Sequence, residues 1–320
     1  MSAPRVIALS GGIGGAKLAL GLYRVLTPDT LTVIVNTGDD FEHLGLTICP
    51  DVDTTLYTLS GLANPELGWG RRDETWTFMA ILASLGGDTW FRLGDGDLAL
   101  HVERTRRLSG GETLSDLTGD LARRLGIAAE VVPMSDSAVR TRVVTPQGEL
   151  AFQDYFVRQR CAPRVTSVRF DGASSAAPSP RAHAALRSAT LEAIVICPSN
   201  PFLSIDPILA VPGLRQQLAD ASAPVIAVTP LVGGEAIKGP TAKIMTELGL
   251  PLTPLTLARH YAGLIDGFVL DARDRSLAGS LECPVHITNT VMLNLADRER
   301  LAQEVLQFAA TLRPHGESDG

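Results

Sequence analysis

The apolar positions of this chain fall in short, dense runs: Val6–Leu9, Leu31–Val35, Ala193–Cys197, Pro224–Thr229, Leu264–Asp271 and Val285–Ile287. Such runs, rich in β-branched residues and bounded by Gly, Pro or Asn, predict buried strands. Stretches with helical spacing stand among them, at Ala16–Leu22, Phe78–Leu85, Leu114–Leu125 and Asp297–Leu312. Strand, helix, strand in succession predicts a parallel pair with a right-handed crossover. The texture changes between Glu130 and Phe170. There Val131–Met134, Arg140–Thr145 and Leu150–Val157 read as strands, and Pro146-Gln147-Gly148 as a hairpin turn. This β-rich insertion, at about 130–170, is expected to cover the site. Pro50 is expected to precede a helix starting near Asp53 or Thr54, Trp90–Asp97 reads as a turn with two acids, and 171–180 as a loop. One α/β domain over 1–312 is expected, with 313–320 a disordered polar tail.

The run Val6–Lys17, VIALSGGIGGAK, is where the chemistry starts. A strand leads into Gly11, Gly12, Gly14 and Gly15, and a helical pattern follows. Glycines let backbone approach an anion, and a helix start offers free N–H groups and the positive dipole end. Lys17 adds a cation. The pattern therefore points to phosphate, against the plainer reading of a tight turn with spare glycines. It is not a Walker loop, because Ala16 precedes Lys17 and Leu18 follows it. Nor is it the dinucleotide fingerprint, which needs a third glycine where Lys17 stands.

Composition narrows the partners. The chain has 320 residues, 45% of them hydrophobic, with a formal net charge of -7 and dispersed basic residues. That disfavours a nucleic-acid polymer and leaves a single nucleotide open. Cys49, Cys161, Cys197 and Cys283 are far apart and read as reduced thiols of a cytoplasmic protein. Met1 leads almost directly into the first strand, so no signal peptide is expected, and no apolar run reaches a membrane span.

Several acids follow the early strands. Asp39, Asp40, Asp51 and Asp53 are expected on the rim of the glycine loop, where ligands of open α/β sheets sit. Carboxylates beside a phosphate loop suit a bridging magnesium, and the competing explanation is helix capping. A second set, Trp69, Trp76, Arg71, Arg72, Asp95 and Asp97, suits a flat aromatic ligand stacked on indole with arginines on its polar groups; a packed tryptophan with surface arginines is the alternative. Ser199-Asn200-Pro201 and Ser204 stand past a strand end and could hold a second phosphate or sugar, or simply form a turn. Lys238, Lys243 and the glycines at 233–239 resemble a flexible anion loop. His43, His101 and His286 show no metal-ligand spacing and read as structural. No Ser-His-Asp order, CxxC or HExxH is present. The residues thus point to metal-assisted handling of a nucleotide phosphate with an aromatic second ligand.

These stretches resemble the 2-phospho-L-lactate transferases (the CofD family) of coenzyme F-420 biosynthesis. The matches are Ser10–Lys17, Val35–Asp40, Cys49–Thr54, Leu93-Gly94-Asp95, Pro133–Asp136, Phe152-Gln153-Asp154 and Pro198–Pro201. They run in family order over roughly the first two-thirds. The resemblance implies a Rossmann-like core with helices on both faces, a β-rich insertion, and a homodimer. It implies a magnesium-dependent transfer of a phospho-acid group from a guanosine-diphosphate-linked donor to the ribityl hydroxyl of the deazaflavin Fo, releasing GMP. The acid would be lactate, enolpyruvate or a glycerate type. By position, Gly11, Gly12, Gly14, Gly15, Lys17, Ser199 and Asn200 would face the donor. Asp53, Trp69, Trp76, Arg92 and Asp95 would face Fo. Asp39, Asp40 and Asp51 would hold magnesium, and Asp39, Asp53 and Lys17 would be catalytic. The family usually has arginine after Leu-Gly-Asp, where this chain has Gly96; Arg92, Arg71 or Arg72 could substitute. The alternative is a nucleotide-sugar-binding regulator of the gluconeogenesis-factor type. An NAD-dependent oxidoreductase is disfavoured by the glycine spacing and by the lack of a lone acid ending the second strand.

Overall fold

The computed structural model describes residues 5–27, 29–65, 69–236 and 239–312. The expected tail at 313–320 and Lys238 lie outside the described residues. The strands are β1 (Arg5–Ser10), β2 (Leu31–Val35), β3 (Phe41–His43), β4 (Leu46–Ile48), β5 (Glu130–Pro133), β6 (Arg140–Thr145), β7 (Gly148–Ala151), β8 (Ser167–Asp171), β9 (Leu191–Ile196), β10 (Val225–Val228), β11 (Leu231–Val232), β12 (Glu235–Ala236), β13 (Gly267–Asp271) and β14 (Val285–Thr288). Seven of them form one parallel sheet in the order β14-β13-β10-β9-β1-β2-β5.

Alternate residues of each central strand feed two cores. In β1, Ile7 and Leu9 face one and Val6 and Ala8 the other; in β9, Ile194 and Ile196 face the first and Ala193 and Val195 the second. Both sets are apolar because helices cover both faces. On one face lie α1 (Gly12–Val25), α2 (Pro50–Leu59) and, after α3 (Thr77–Ser84) and α4 (Asp95–Ser109), α5 (Leu114–Arg124). On the other lie α6 (Pro180–Leu186), α7 (Asp206–Leu209), α8 (Leu214–Ala219), α9 (Thr241–Glu247) and α10 (Pro254–His260). The last helix, α11 (Leu295–Leu312), returns to pack on α1. The result is the Rossmann-like α/β core.

Several local expectations change. The helix expected near Asp53 begins at Pro50, whose fixed φ suits a first helical position. Val131–Pro133 is not part of the insertion but the edge strand of the main sheet, with Val131 paired to Val33. The antiparallel sheet β7-β6-β8 covers only 140–171. The strand expected through Val157 stops at Ala151, and Asp154–Arg158 is a π-helical turn. The loop at 171–180 contains a 3-10 turn, Ala173–Ser175, and ends on α6. The turn expected to end at Asp97 instead starts α4 at Asp95. α3, α4 and the β3–β4 hairpin close a small third core on Ile48, Met79 and Leu93. Among the described residues, no helix is long and apolar enough to cross a membrane.

Candidate active site

The chain leaves β1 toward β2 on one side and returns to β9 on the other, so the carboxyl ends of β1 and β9 form the topological switch point. The glycine turn meets the Pro198–Ser204 segment there. Gly11 donates its N–H to Ser199 Oγ at 3.1 Å. A Cβ on Gly14 would collide with the Pro198 carbonyl oxygen, so glycine is needed at 14 for close approach of two backbones. Gly12 takes φ +63 and faces open space. Gly11 and Gly12 donate their N–H groups to Ser199 and Asp51, so the donors left for an anion at the start of α1 are those of Ile13 and Gly14, both on the cavity wall.

A cavity of about 620 Å³ opens from this point. Its wall includes Gly11, Gly12, Gly14, Lys17, Ser199 and Asn200, all expected on the donor side. Gly15 lies beneath, against Ser199 and Ser10. Lys17 Nζ donates to the Met292 carbonyl at 3.0 Å. Asn200 caps its own turn, accepting from Phe202 and Leu203 N–H at 3.0 and 3.1 Å. From the insertion, Phe152, Gln153, Phe156 and Val157 join the wall.

The acids divide into distinct environments. Asp51 accepts from Gly12 N–H at 2.8 Å and from Asn36 Nδ2 at 2.9 Å. Asp39 and Asp51 both line the cavity and are buried. Burial pushes both carboxyls up, Asp51 to about 6, and the neighbouring Asp51 charge raises Asp39 further. Asp39 Oδ1 is buried with no partner. Asp40, expected with them, is not on the cavity wall. It is buried behind it, raised to about 7 by burial against the opposing pull of Arg140 and a bond with Cys49. Asp53 lines the cavity, but both its oxygens are taken by the fork of Arg104, with Nη1 donating at 3.1 Å and Nη2 closer still.

The aromatic set also divides. Trp69 is 45% exposed and lines the cavity with Arg92. Trp76 is not on that wall. Arg92 lies over its ring at 4.2 Å, and it borders a smaller adjoining cleft with Trp69, Arg71 and Asp97. Asp95, expected at Fo, is a helix cap. It accepts from Thr77 and Phe78 N–H at 3.1 and 3.0 Å, while Glu74 accepts from Gly96 and Asp97 N–H at 2.6 and 2.8 Å. The starts of α3 and α4 thus cap each other. Arg72 pairs with Asp73 at the surface, whereas the Arg71 guanidinium sits where a side chain on Gly96 would begin. Lys243 pairs with Glu247 and is not on the cavity wall.

Asp97, one of the second set, is joined on the wall by two residues the sequence reading did not place there, Tyr57 and His101. Tyr57, Asp97 and His101 surround the acid end of the cavity. Tyr57 Oη donates to Asp97 Oδ1 at 2.6 Å, and His101 Nε2 stands 3.2 Å from Asp97 Oδ2. His101, read as structural, is therefore part of the site. The Asp97-x3-His101 spacing, one helical turn, was the available clue. Asp53, Asp97 and His101 come within 4.8 Å of one another, a spacing compatible with a metal. The Arg104 guanidinium already neutralises Asp53 there, so we assign this trio no ion.

The family model described as "2-phospho-L-lactate transferase CofD" matches residues 6–286. The chain belongs to the CofD family. It is 40% identical over 318 residues to the phosphoenolpyruvate transferase of Streptomyces griseus, covering 97% of this chain and 99% of that one. It is 37% identical over 311 residues to the 2-phospho-L-lactate transferase of Methanocaldococcus jannaschii, covering 96% and 99%. Among solved structures, a UPF0052 family protein from Bacillus halodurans matches with a TM-score of 0.63 at 16% identity, covering 96% of this chain and 99% of that one. That likeness shows the shared fold. As a CofD-family member the protein is a phospho-acid transferase of coenzyme F-420 biosynthesis.

Proposed function

We propose that this CofD-family transferase moves a phospho-acid group from a guanosine-diphosphate-linked donor to the ribityl hydroxyl of Fo, releasing GMP. One observation carries the reading: a single cavity joins the start of α1 and Lys17 to four carboxylates among the described residues and to the exposed face of Trp69. That is the inventory a diphosphate donor and a flat aromatic acceptor require. The relatives' names add the class of acid, phosphoenolpyruvate or 2-phospho-L-lactate. The same reading carries a homodimer in the cytoplasm, tested by light scattering and cell fractionation.

Asp39 and Asp51 fit a divalent cation. They are paired acids in a buried wall, each held up by burial, and one Asp39 oxygen lacks any partner. Magnesium bound there would supply charge neutralisation on the diphosphate. The chain's own groups do the rest. The N–H groups of Ile13 and Gly14, with Lys17, receive the donor phosphates. Ser199 holds the turn in place. Phe152, Phe156 and Val157 exclude water from one side of the cavity. Trp69 offers an indole face to the acceptor ring. Phosphoryl transfer asks mainly for such positioning, and the cavity wall offers no activated nucleophile among the described residues, which favours direct in-line attack. The test is incubation with Fo, magnesium and each guanylylated phospho-acid, followed by mass spectrometry. Release of GMP with a matching Fo adduct is expected; no adduct from any donor overturns the reading.

A further inference from the structure

We propose that Asp97 is the carboxylate that receives the acceptor hydroxyl, and that Tyr57 and His101 are the positioning residues that hold it for that task. This rests on the transferase reading above.

Among the described residues four acids line the cavity, and the surroundings of three leave them poorly suited to an incoming hydroxyl. Asp51 is occupied by Gly12 and Asn36. Asp39 is buried beside Asp51. Asp53 is gripped by Arg104 through both oxygens. Asp97 differs. It lies in the first turn of α4, where the helix dipole favours negative charge. Its wall position is shared by the main cavity and the smaller cleft of Trp69, Arg71 and Trp76, so it faces the place where an aromatic ligand enters.

Its support comes from Tyr57 and His101, which line the same cavity. Tyr57 donates at 2.6 Å to one oxygen, and the His101 ring stands 3.2 Å from the other. Arg104 Nη1 lies 3.2 Å from His101 Nδ1. A guanidinium can only donate, so Nδ1 accepts from Arg104, and Nε2 is the ring nitrogen on the Asp97 side, close to that carboxylate but out of line for a hydrogen bond. Burial alone would raise Asp97, but His101 and Tyr57, with Arg104 behind them, outweigh it and hold its carboxyl below the ordinary range. Asp39 and Asp51 are pushed the other way. Carboxylates driven apart in one site divide the roles between them.

In the step itself, the hydroxyl oxygen forms its bond to the phosphorus next to the acid. The bond from that phosphorus to the GMP oxygen breaks, and GMP leaves with the electron pair. The hydroxyl proton passes to Asp97 and from there to water. A carboxylate held this low is a weak base. It therefore orients the hydroxyl first and takes the proton late, when the new bond is nearly made, as a loose transition state allows.

The experiment measures kcat and acceptor KM for the wild type, Asp97→Asn, Tyr57→Phe, His101→Gln and the double variants with Asp97→Asn. Asp97→Asn should lower kcat about a hundredfold or more, with little change in acceptor KM. Tyr57→Phe and His101→Gln should lower kcat less, and should add nothing in the Asp97→Asn background, because they act through that carboxylate. A merely structural role would add. Wild-type protein that turns over no donor overturns the function and this inference with it. Active wild type with Asp97→Asn within about threefold, or with fully additive losses at Tyr57, overturns this inference alone.

Discussion

The backbone N–H of Gly12 donates to Asp51 Oδ1 at 2.8 Å. This bond joins the glycine turn after β1 to the first turn of α2, so the anion cradle and the paired acids are a single rigid unit. Asn36, at the end of β2, completes it by donating to the other Asp51 oxygen at 2.9 Å and accepting from Gly38 N–H at 2.8 Å. A ligand phosphate on the turn and a cation on Asp39 and Asp51 would therefore be placed relative to each other by backbone.

Replacing either acid separates charge from shape. Asp39→Asn and Asp51→Asn keep size and remove the charge. Turnover should fall about a hundredfold or more, as for loss of a charge-stabilising group, while donor affinity falls much less. Turnover assayed across a magnesium titration, with calorimetric donor binding beside it, checks this. Near-normal turnover with unchanged magnesium dependence in both variants would refute the assignment.

The same acids set a pH dependence of stability. Burial raises Asp51 to about 6 and Asp40 to about 7. An acid raised by folding binds more protons native than unfolded, so stability is fullest below the unfolded carboxylate range and falls as pH rises through the folded value. The metal-free protein should lose melting temperature between about pH 4 and 7. Buried His43, whose imidazole burial pushes down, works in the opposite direction near its ordinary value. The comparison is therefore with Asp40→Asn, which should show a flatter decline in the same buffers. Magnesium should raise the melting temperature more at the alkaline end. Parallel curves for wild type and variant would contradict the raised Asp40.

Trp69 and Trp76 now carry different expectations. Trp69 is exposed on the cavity wall, and Trp76 is occupied by Arg92 at 4.2 Å. Fo should quench tryptophan emission, and Trp69→Leu should remove most of that response while Trp76→Leu keeps it. An unchanged quench in Trp69→Leu would move the acceptor elsewhere.

What could be read in the sequence was local. The glycine turn and the main strands are contiguous signals, and each appears within three residues of where it was read, the largest offset being the strand expected from Leu264, which begins at Gly267. The functions of single acids were not legible, because each depends on a distant partner. Asp53 meets Arg104, 51 residues away, and Asp95 caps a helix that starts 18 residues earlier. α4 was missed because its polar face outweighs its apolar one; only His101 and Arg104 are fully buried on it. The β3–β4 hairpin was missed because its turn uses Leu44 at φ +54, a position where glycine or asparagine would have signalled it. The switch point itself joins Gly11 to Ser199 across 188 residues, and no spacing rule reaches that far.

The Asp53–Arg104 pair should matter for stability as well as activity. Both side chains are buried, and Arg104 is 1% exposed. Removing one partner of a buried pair typically costs about 3–5 kcal/mol, because the other charge is left without compensation. Arg104→Met should therefore lower stability by that order and Asp53→Asn by less, since the amide can still accept from the guanidinium. Urea unfolding of both variants and the double variant gives the coupling. Independent, additive losses would show that the two charges are not acting as a pair.

Gly96 offers the most specific test of this chain's own variation. A Cβ there would collide with the Arg71 guanidinium and lie 3.1 Å from Glu74 Oε1. Arg71 Nη1 is the far end of a flexible side chain and can swing away, so Gly96→Ala should fold with a stability change of about 1 kcal/mol or less, the scale of glycine-to-alanine changes in helices. Its effect should be functional. If Arg71 fills the space beside Asp97 to meet the acceptor, Gly96→Ala and Arg71→Ala should each raise acceptor KM, and the two together should raise it no further. Donor affinity should stay the same in all three variants. Additive effects on KM, or no effect of Arg71→Ala, would show that the guanidinium is packed beside Gly96 without touching the acceptor.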